Sequence, residues 1–229
     1  MLSIIIPAYN EEESLPQLLS YLTSCCKKTG VKFEILVVDG GSTDQTNKKA
    51  LKEGALVIFS SKRGRAKQMN LGSKQAKGEI LYFLHADSYP PETFAQDITK
   101  ATKEGSAAGC FRLAFDDQNP LLAFYAWFTR FDINIFRFGD QSLFVEKKAF
   151  EEAGGFDEQL VVMEDQEIVS RLKSKYKFSI LPKNVKTSAR KYRQVGVIKL
   201  QLIFTAILTG YYLGLSQDKL VNFYKRMVE

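Results

Sequence analysis

The sequence holds only three cysteines, one histidine, one tryptophan and six prolines in 229 residues. Cys25, Cys26 and Cys110 have no paired metal spacing, and an adjacent pair such as Cys25 and Cys26 is strained as a disulfide. A disulfide scaffold is therefore excluded, and the thiols read as small buried apolar groups in a reducing compartment. The opening Met1-Leu2-Ser3-Ile4-Ile5-Ile6-Pro7 lacks a basic stretch and a long apolar run, so it does not read as a secretory signal. The expectation is a cytoplasmic protein. No G-x-G-x-x-G follows the first apolar run and no P-loop occurs, which removes the dinucleotide fingerprint and the Walker NTPases. No basic stripe interleaved with aromatics occurs either, so nucleic acid is not an expected partner.

What is present suits one soluble domain with a helical tail: 45% apolar and 25% charged residues, a length of 229, and room to bury a sizeable core. The formal charge of +6 is compatible with anionic substrates or an acidic membrane surface. Short apolar runs at Ser3–Ile6, Phe33–Val38, Leu56–Phe59 and Ile80–Leu84 read as buried parallel strands. Between the first two, Leu15, Leu18, Leu19, Leu22 and Cys26 recur at helical spacing, and Gly30 stands where a helix would stop. Ser42-Thr43-Asp44-Gln45 reads as the opening of a second helix, closed by Gly54, and Gly64–Lys77 as a third. This β-α-β-α-β-α-β order predicts a Rossmann-like half sheet. Beyond residue 105 the pattern loosens, with strands expected at Ala107–Phe115, Ser142–Val145 and Phe178–Leu181 and a helix over Glu164–Lys175.

Ligands of open α/β sheets sit beyond the carboxyl ends of the strands. Three of the four predicted strands end in polar groups there: Pro7-Ala8-Tyr9-Asn10-Glu11, Asp39-Gly40-Gly41-Ser42-Thr43-Asp44, and His85-Ala86-Asp87-Ser88. A lone Asp at a strand end is usually a turn former. Repeated at neighbouring strand ends, the pattern points to a site in which Asp39 suits the polar edge of a base or ribose and Asp87 a hard divalent cation. The third strand runs into Lys62-Arg63-Gly64-Arg65, which could face phosphates.

These segments, with Gly64-Arg65 through Asn70 and Gly72 and with Lys77-Gly78-Glu79, resemble glycosyltransferase family 2 in order and spacing over nearly the first ninety residues. The resemblance implies an α/β GT-A fold, a Rossmann-like mixed sheet flanked by helices, with an inverting mechanism. It also implies a nucleotide-diphosphate sugar donor, UDP- or GDP-linked, bound with Mg²⁺ or Mn²⁺. By matching positions, Pro7, Tyr9, Glu11 and Asp39 would hold the nucleoside, joined at the donor by Arg65, Asn70, His85, Ala86 and Arg190. Asp87 would be the metal ligand of the family's Asp-x-Asp motif, whose first Asp is here His85, the chain's only histidine. A bacterial subset of the family looks similar in carrying His-Ala-Asp.

The likeness continues through Gly139-Asp140-Gln141, Gly154-Gly155-Phe156-Asp157-Glu158, Glu164-Asp165 and Arg171. It implies that Asp165 is the general base that takes the acceptor hydroxyl's proton. The plainer alternative is that Glu164 and Asp165 only complement a helix N-terminus. The division expected is a catalytic domain over 1–195, with a nucleotide-sugar-binding half at 1–104 and an acceptor half at 105–195, and a helical tail at 196–229. In that tail, Leu200–Gln217 carries no charge and is flanked by basic residues. Packing on the core, pairing with a second subunit in a homodimer, and lying at the inner face of the cell membrane against a lipid-linked acceptor all suit it. Two other functions compete. A nucleotidyltransferase would place a Gly-rich loop directly after its first strand, where Pro7–Glu11 has no glycine. A non-catalytic nucleotide-sugar binding module has no use for Asp165.

Overall fold

Residues 1–228 are described in a computed structural model. The four apolar runs of the first half form β1 (Leu2–Ala8), β2 (Phe33–Asp39), β3 (Leu56–Phe59) and β4 (Ile80–Phe83), parallel and in the spatial order β3-β2-β1-β4. They are joined by α1 (Leu15–Thr29), α2 (Thr46–Lys52) and α3 (Arg65–Gln75). Side chains alternate across a strand, and β1 uses both faces. Ile4 and Ile6 share a core with Leu15, Leu18, Leu19 and Leu22 of α1, whereas Ile5 packs with Ala66 and Met69 of α3. Gly72 is what lets α3 lie so close, since a Cβ there would stand 2.5 Å from Ile5 Cγ2. β3 departs from the expected buried strand, with Leu56 and Phe59 51% and 69% exposed, because it is the sheet edge and has a partner on one side only.

The second half adds β5 (Ser88–Tyr89), α4 (Phe94–Lys103), β6 (Ala108–Phe115), α5 (Pro120–Trp127), β7 (Leu143–Glu146), α6 (Lys147–Glu152), α7 (Glu164–Lys175) and β8 (Phe178–Thr187). β7 lies antiparallel between β4 and β6 and so joins the halves into one eight-stranded mixed sheet, β3-β2-β1-β4-β7-β6-β8-β5. β8 runs well past the expected Leu181 because its parallel ladder with β6 resumes after an irregularity at Phe111/Arg112. From Phe128 to Gln141 the chain makes three short 3-10 turns in place of regular structure.

The apolar run at 200–217 is not one helix. α8 (Arg190–Val195) leads into α9 (Val197–Tyr212), and after a turn α10 (Gln217–Val228) packs back on it. α9 buries Leu200, Ile203 and Ile207 and leaves Ile198, Leu202 and Tyr212 exposed. The tail is stitched to the loop before α7: the Val161 and Val162 N–H groups donate to Gln217 Oε1 at 3.0 and 3.1 Å. No helix among the described residues is long and apolar enough to cross a membrane.

Candidate active site

Because β2, β1 and β4 are neighbours, their carboxyl ends bring Asp39, the Tyr9–Glu11 loop and His85–Asp87 to one edge of the sheet. The first two loops are preformed. Asn10 N–H donates to Ser42 Oγ at 2.9 Å, Thr43 N–H donates to Asn10 Oδ1 at 2.9 Å, and Glu11 N–H donates to Thr46 Oγ1 at 2.8 Å. Asp39 is buried, and its carboxylate accepts from the Gly41 and Ser42 N–H groups, the Ser42 hydroxyl and Asn47 Nδ2. It shapes the β2–α2 turn, and its expected bond to a base would have to displace or share these donors. The predicted helix cap is displaced as well: α2 begins only at Thr46, whose N–H and hydroxyl donate to Asp44. Pro7 is buried inside β1. Tyr9 stands at the rim with the Arg63 guanidinium stacked over its ring, 3.6 Å from the centroid.

The second cluster joins the two halves. His85 Nδ1 lies 3.0 Å from Asp140 Oδ1, across from the turn Gly139–Gln141. Gly139 is wedged between His85 and the proposed base: a Cβ on it would stand 2.2 Å from Asp165 Oδ2 and 2.8 Å from His85 Cε1. Arg65 Nε sits 2.8 Å from Glu164 Oε1, so the first residue of α3 is paired with the first of α7. Among the described residues the positive-φ residues other than glycine are Asn10, Ser142 and Met163, and each adjoins this site; Met163 directly precedes Glu164 and Asp165. Such backbone costs of order 1–3 kcal/mol each and gathers at functional sites.

Charge follows from this crowding. Burial raises Asp87 above the usual carboxylate range, and the like charge of Asp140 adds to it. Burial also works to raise Asp140, but the His85 bond and charge, with Arg65 and Lys191 behind them, outweigh it and hold it low. His85 is correspondingly raised, the Asp140 bond overcoming burial. Burial pushes Glu164 up to about 7 despite the Arg65 guanidinium beside it. Arg190, on the surface at the start of α8, reaches Asp87 through its field.

Two expected donor residues are used otherwise. Asn70 is buried and clamps α3 to the Gly154–Phe156 turn: Nδ2 donates to Phe156 O at 2.9 Å and Oδ1 accepts from Phe156 N–H at 2.9 Å. With both ends of its amide so committed, it holds the frame between α3 and that turn. The Ala86 methyl lies in the core, leaving only its backbone for a ligand. Arg65, expected at the diphosphate, spends Nε on Glu164, and its side chain is half exposed. The sequence reading placed Asp140 only within the Gly139-Asp140-Gln141 likeness and Arg63 only in a basic run that could face phosphates, and gave neither a partner. A lone histidine needing a carboxylate partner was the one signal for Asp140; the Arg63–Tyr9 stack had none.

Four carboxylates, Asp87, Asp140, Glu164 and Asp165, thus gather against Arg65 and His85. Among the described residues no three His, Cys, Asp or Glu side chains converge as a complete metal cage. That excess of negative oxygen fits a divalent cation held by one or two carboxylates, with phosphate oxygens completing its shell, as Mg²⁺ and Mn²⁺ accept.

The architecture is that of the GT-A glycosyltransferases. It is shared with a mannosyltransferase, PcManGT from Pyrobaculum calidifontis, solved with GDP-Man and Mn²⁺, at a TM-score of 0.67 and 20% identity over 90% of this chain and 64% of that one. S. aureus TarS 1-349 in complex with UDP-GlcNAc aligns at a TM-score of 0.62 and 21% identity, over 82% of this chain and 58% of that one. The undecaprenyl-phosphate 4-deoxy-4-formamido-L-arabinose transferase of Pseudomonas fluorescens (strain SBW25) is 36% identical over 107 residues, 43% of this chain and 31% of that protein. This chain therefore spans about a third of the length of such relatives. The family model for glycosyl transferase family 2 matches residues 3–152, and the chain belongs to that family.

Proposed function

We propose that the protein is an inverting glycosyltransferase, of the hexosyl-transferring class, that moves a sugar from a UDP- or GDP-sugar to a lipid-linked acceptor. The observation that carries this is the meeting of Asp165 with the His85–Asp140 pair around Gly139, at the sheet edge where Asp39 and Asp87 also end. Asp165 takes the proton of the acceptor hydroxyl as its oxygen bonds to the anomeric carbon. The bond from that carbon to the diphosphate breaks on the opposite face, which inverts the centre. Tyr9, Glu11 and the Asp39 turn form the nucleoside end, and Arg65 and Arg190 stand where the leaving diphosphate's charge develops. Asp87 would hold Mg²⁺ or Mn²⁺, which supplies Lewis-acid neutralisation of that charge.

Incubation with UDP-, GDP- and dTDP-sugars and Mn²⁺, followed by release of nucleoside diphosphate, tests the reading. Asp165→Asn should keep donor affinity and lower turnover by on the order of a hundredfold or more. Release by Asp165→Asn at the wild-type rate would move the base elsewhere.

The acceptor proposal rests on the surface leading to this site. Phe124, Trp127, Phe131, Ile133, Ile135 and Phe138 are exposed in one segment, and Arg130 lies over the Trp127 ring at 4.7 Å. Exposed aromatics with basic neighbours suit a peripheral contact with an anionic bilayer, and the similar P. fluorescens enzyme is named for an undecaprenyl-phosphate substrate. Trp127 is the only tryptophan. Its emission should shift to the blue on vesicles containing anionic lipid and shift back with salt; emission unmoved by such vesicles at low salt would favour a soluble acceptor.

A further inference from the structure

The Asp140 carboxylate does something that the transfer reaction as described leaves unused. It takes one of the two ring nitrogens of His85, Nδ1, at 3.0 Å. The other nitrogen, Nε2, has no hydrogen-bond partner among the described residues, although the side chain is only 13% exposed. A neutral imidazole has one donor and one acceptor nitrogen, and the bond made by one decides the character of the other. A carboxylate can only accept, so Nδ1 must carry a proton. Free imidazole, left to itself, can put that proton on either nitrogen.

The ring is also confined on one edge. Gly139 backs against Cε1, the atom between the two nitrogens, and on its other side Gly139 meets Asp165 Oδ2. Asp140 is the next residue of the same turn, so one short segment both bonds Nδ1 and braces the ring. Ser142, which ends that turn, is held at φ 60°, a conformation that the surrounding structure must enforce. His85 itself lies two residues beyond the end of β4, on the short segment that leads to Asp87. The unpartnered nitrogen therefore belongs to a ring held by the Asp140 bond and the Gly139 backbone, in the cluster that Asp87 and Asp165 share.

We infer that Asp140 is a positioning residue that fixes the His85 tautomer and ring, so that Nε2 is presented to an oxygen of the bound nucleotide-diphosphate sugar. This rests on the donor-binding reading given above and adds to it the residue through which the His85 position works.

The single histidine makes the test direct, because its two nitrogens are the only imidazole signals in a ¹⁵N-labelled sample. Two-bond ¹H–¹⁵N spectra of the full chain should show Nδ1 protonated. Asp140→Ala should release the ring to the Nε2-protonated form and weaken UDP- or GDP-sugar binding about tenfold. Asp140→Asn, which keeps an accepting oxygen, should retain the tautomer and most of the affinity, whereas a merely structural role would not separate the two variants in this way. Saturating UDP with Mg²⁺ should move the Nε2 resonance and leave Nδ1 nearly in place. The inference is overturned by an Nε2-protonated wild type, by an Asp140→Ala variant with unchanged tautomer, or by an Nε2 signal that ignores nucleotide whose binding calorimetry has established. Calorimetry that finds no nucleotide binding at all would instead sink the donor reading, with the tautomer still deciding what Asp140 does.

Discussion

Gly139→Ala is the substitution whose effect can be worked most fully from the structure. The backbone of Gly139 lies outside the left-handed region, so alanine meets no conformational penalty there. The added methyl would stand 2.2 Å from Asp165 Oδ2 and 2.8 Å from His85 Cε1. Ordinary contact requires the carboxylate to retreat by about 1 Å, and a displacement of that size at a reacting group costs roughly a hundredfold in rate, or about 2.7 kcal/mol of barrier. Stability should fall by about 1–3 kcal/mol, the usual cost of overpacking. Nucleoside-diphosphate release gives turnover, calorimetry gives donor affinity, and urea unfolding gives stability. The expected pattern is turnover lost and donor affinity held within a few fold. Asp165→Ala made in the same background should remove much of the stability loss, since it deletes the closer of the two atoms struck and leaves only the contact with His85 Cε1. Normal turnover in Gly139→Ala, or a stability loss indifferent to Asp165→Ala, would refute the packing of Gly139 against the base.

Three further outcomes follow from burial and charge. Because Glu164 is raised to about 7 in the fold from an ordinary 4.5, the folded state takes up a proton that the unfolded chain lacks between those values. Its stabilising contribution is therefore lost as pH rises through that window, and between pH 5 and 7.5 the wild type should lose on the order of 2 kcal/mol more than Glu164→Gln in urea unfolding; parallel losses would contradict the burial of this carboxylate. Cys25, Cys26 and Cys110 are buried and Cys26 is pushed up to about 12, so a thiol reagent at pH 8 should find no rapid titration in native protein and three thiols in guanidinium. Asn70→Ala should lower stability by a few kcal/mol through the loss of two buried hydrogen bonds to Phe156, with donor affinity of the folded fraction unchanged; a selective loss of donor binding would return Asn70 to the donor site.

Much of this fold was legible because burial dictates strand composition. The runs at 33–38 and 80–84 read as strands, since few other short elements bury so many Val, Ile and Leu side chains at once, and the run at 56–59 reads as one by its composition although its ends are exposed. Glu164–Lys175 was readable from its helical period, and its bounds agree with α7. The sequence could not say that β3 would be an edge, because edge position depends on which strand adds next. Nor could it foresee that β8 would extend to Thr187, since that length is set by the ladder to β6. In the site, residues at strand ends were found because topology places strand ends together. Asn70, by contrast, sits in a motif that matches the family while its amide serves the Gly154–Phe156 turn. The His85–Asp140 bond joins residues 55 apart in sequence. Only the antiparallel insertion of β7 beside β4 brings that turn to the strand end.

The account stands most directly on the donor site at Asp87. Calorimetric titration of UDP- and GDP-sugars into the full chain should give binding with Mn²⁺ that EDTA removes. Asp87→Ala should bind at least about tenfold more weakly with Mn²⁺, equal the wild type in EDTA, and keep the ligand-free melting temperature. Donor binding that is indifferent to EDTA and to Asp87→Ala would contradict a metal-assisted transferase site at this end of the sheet.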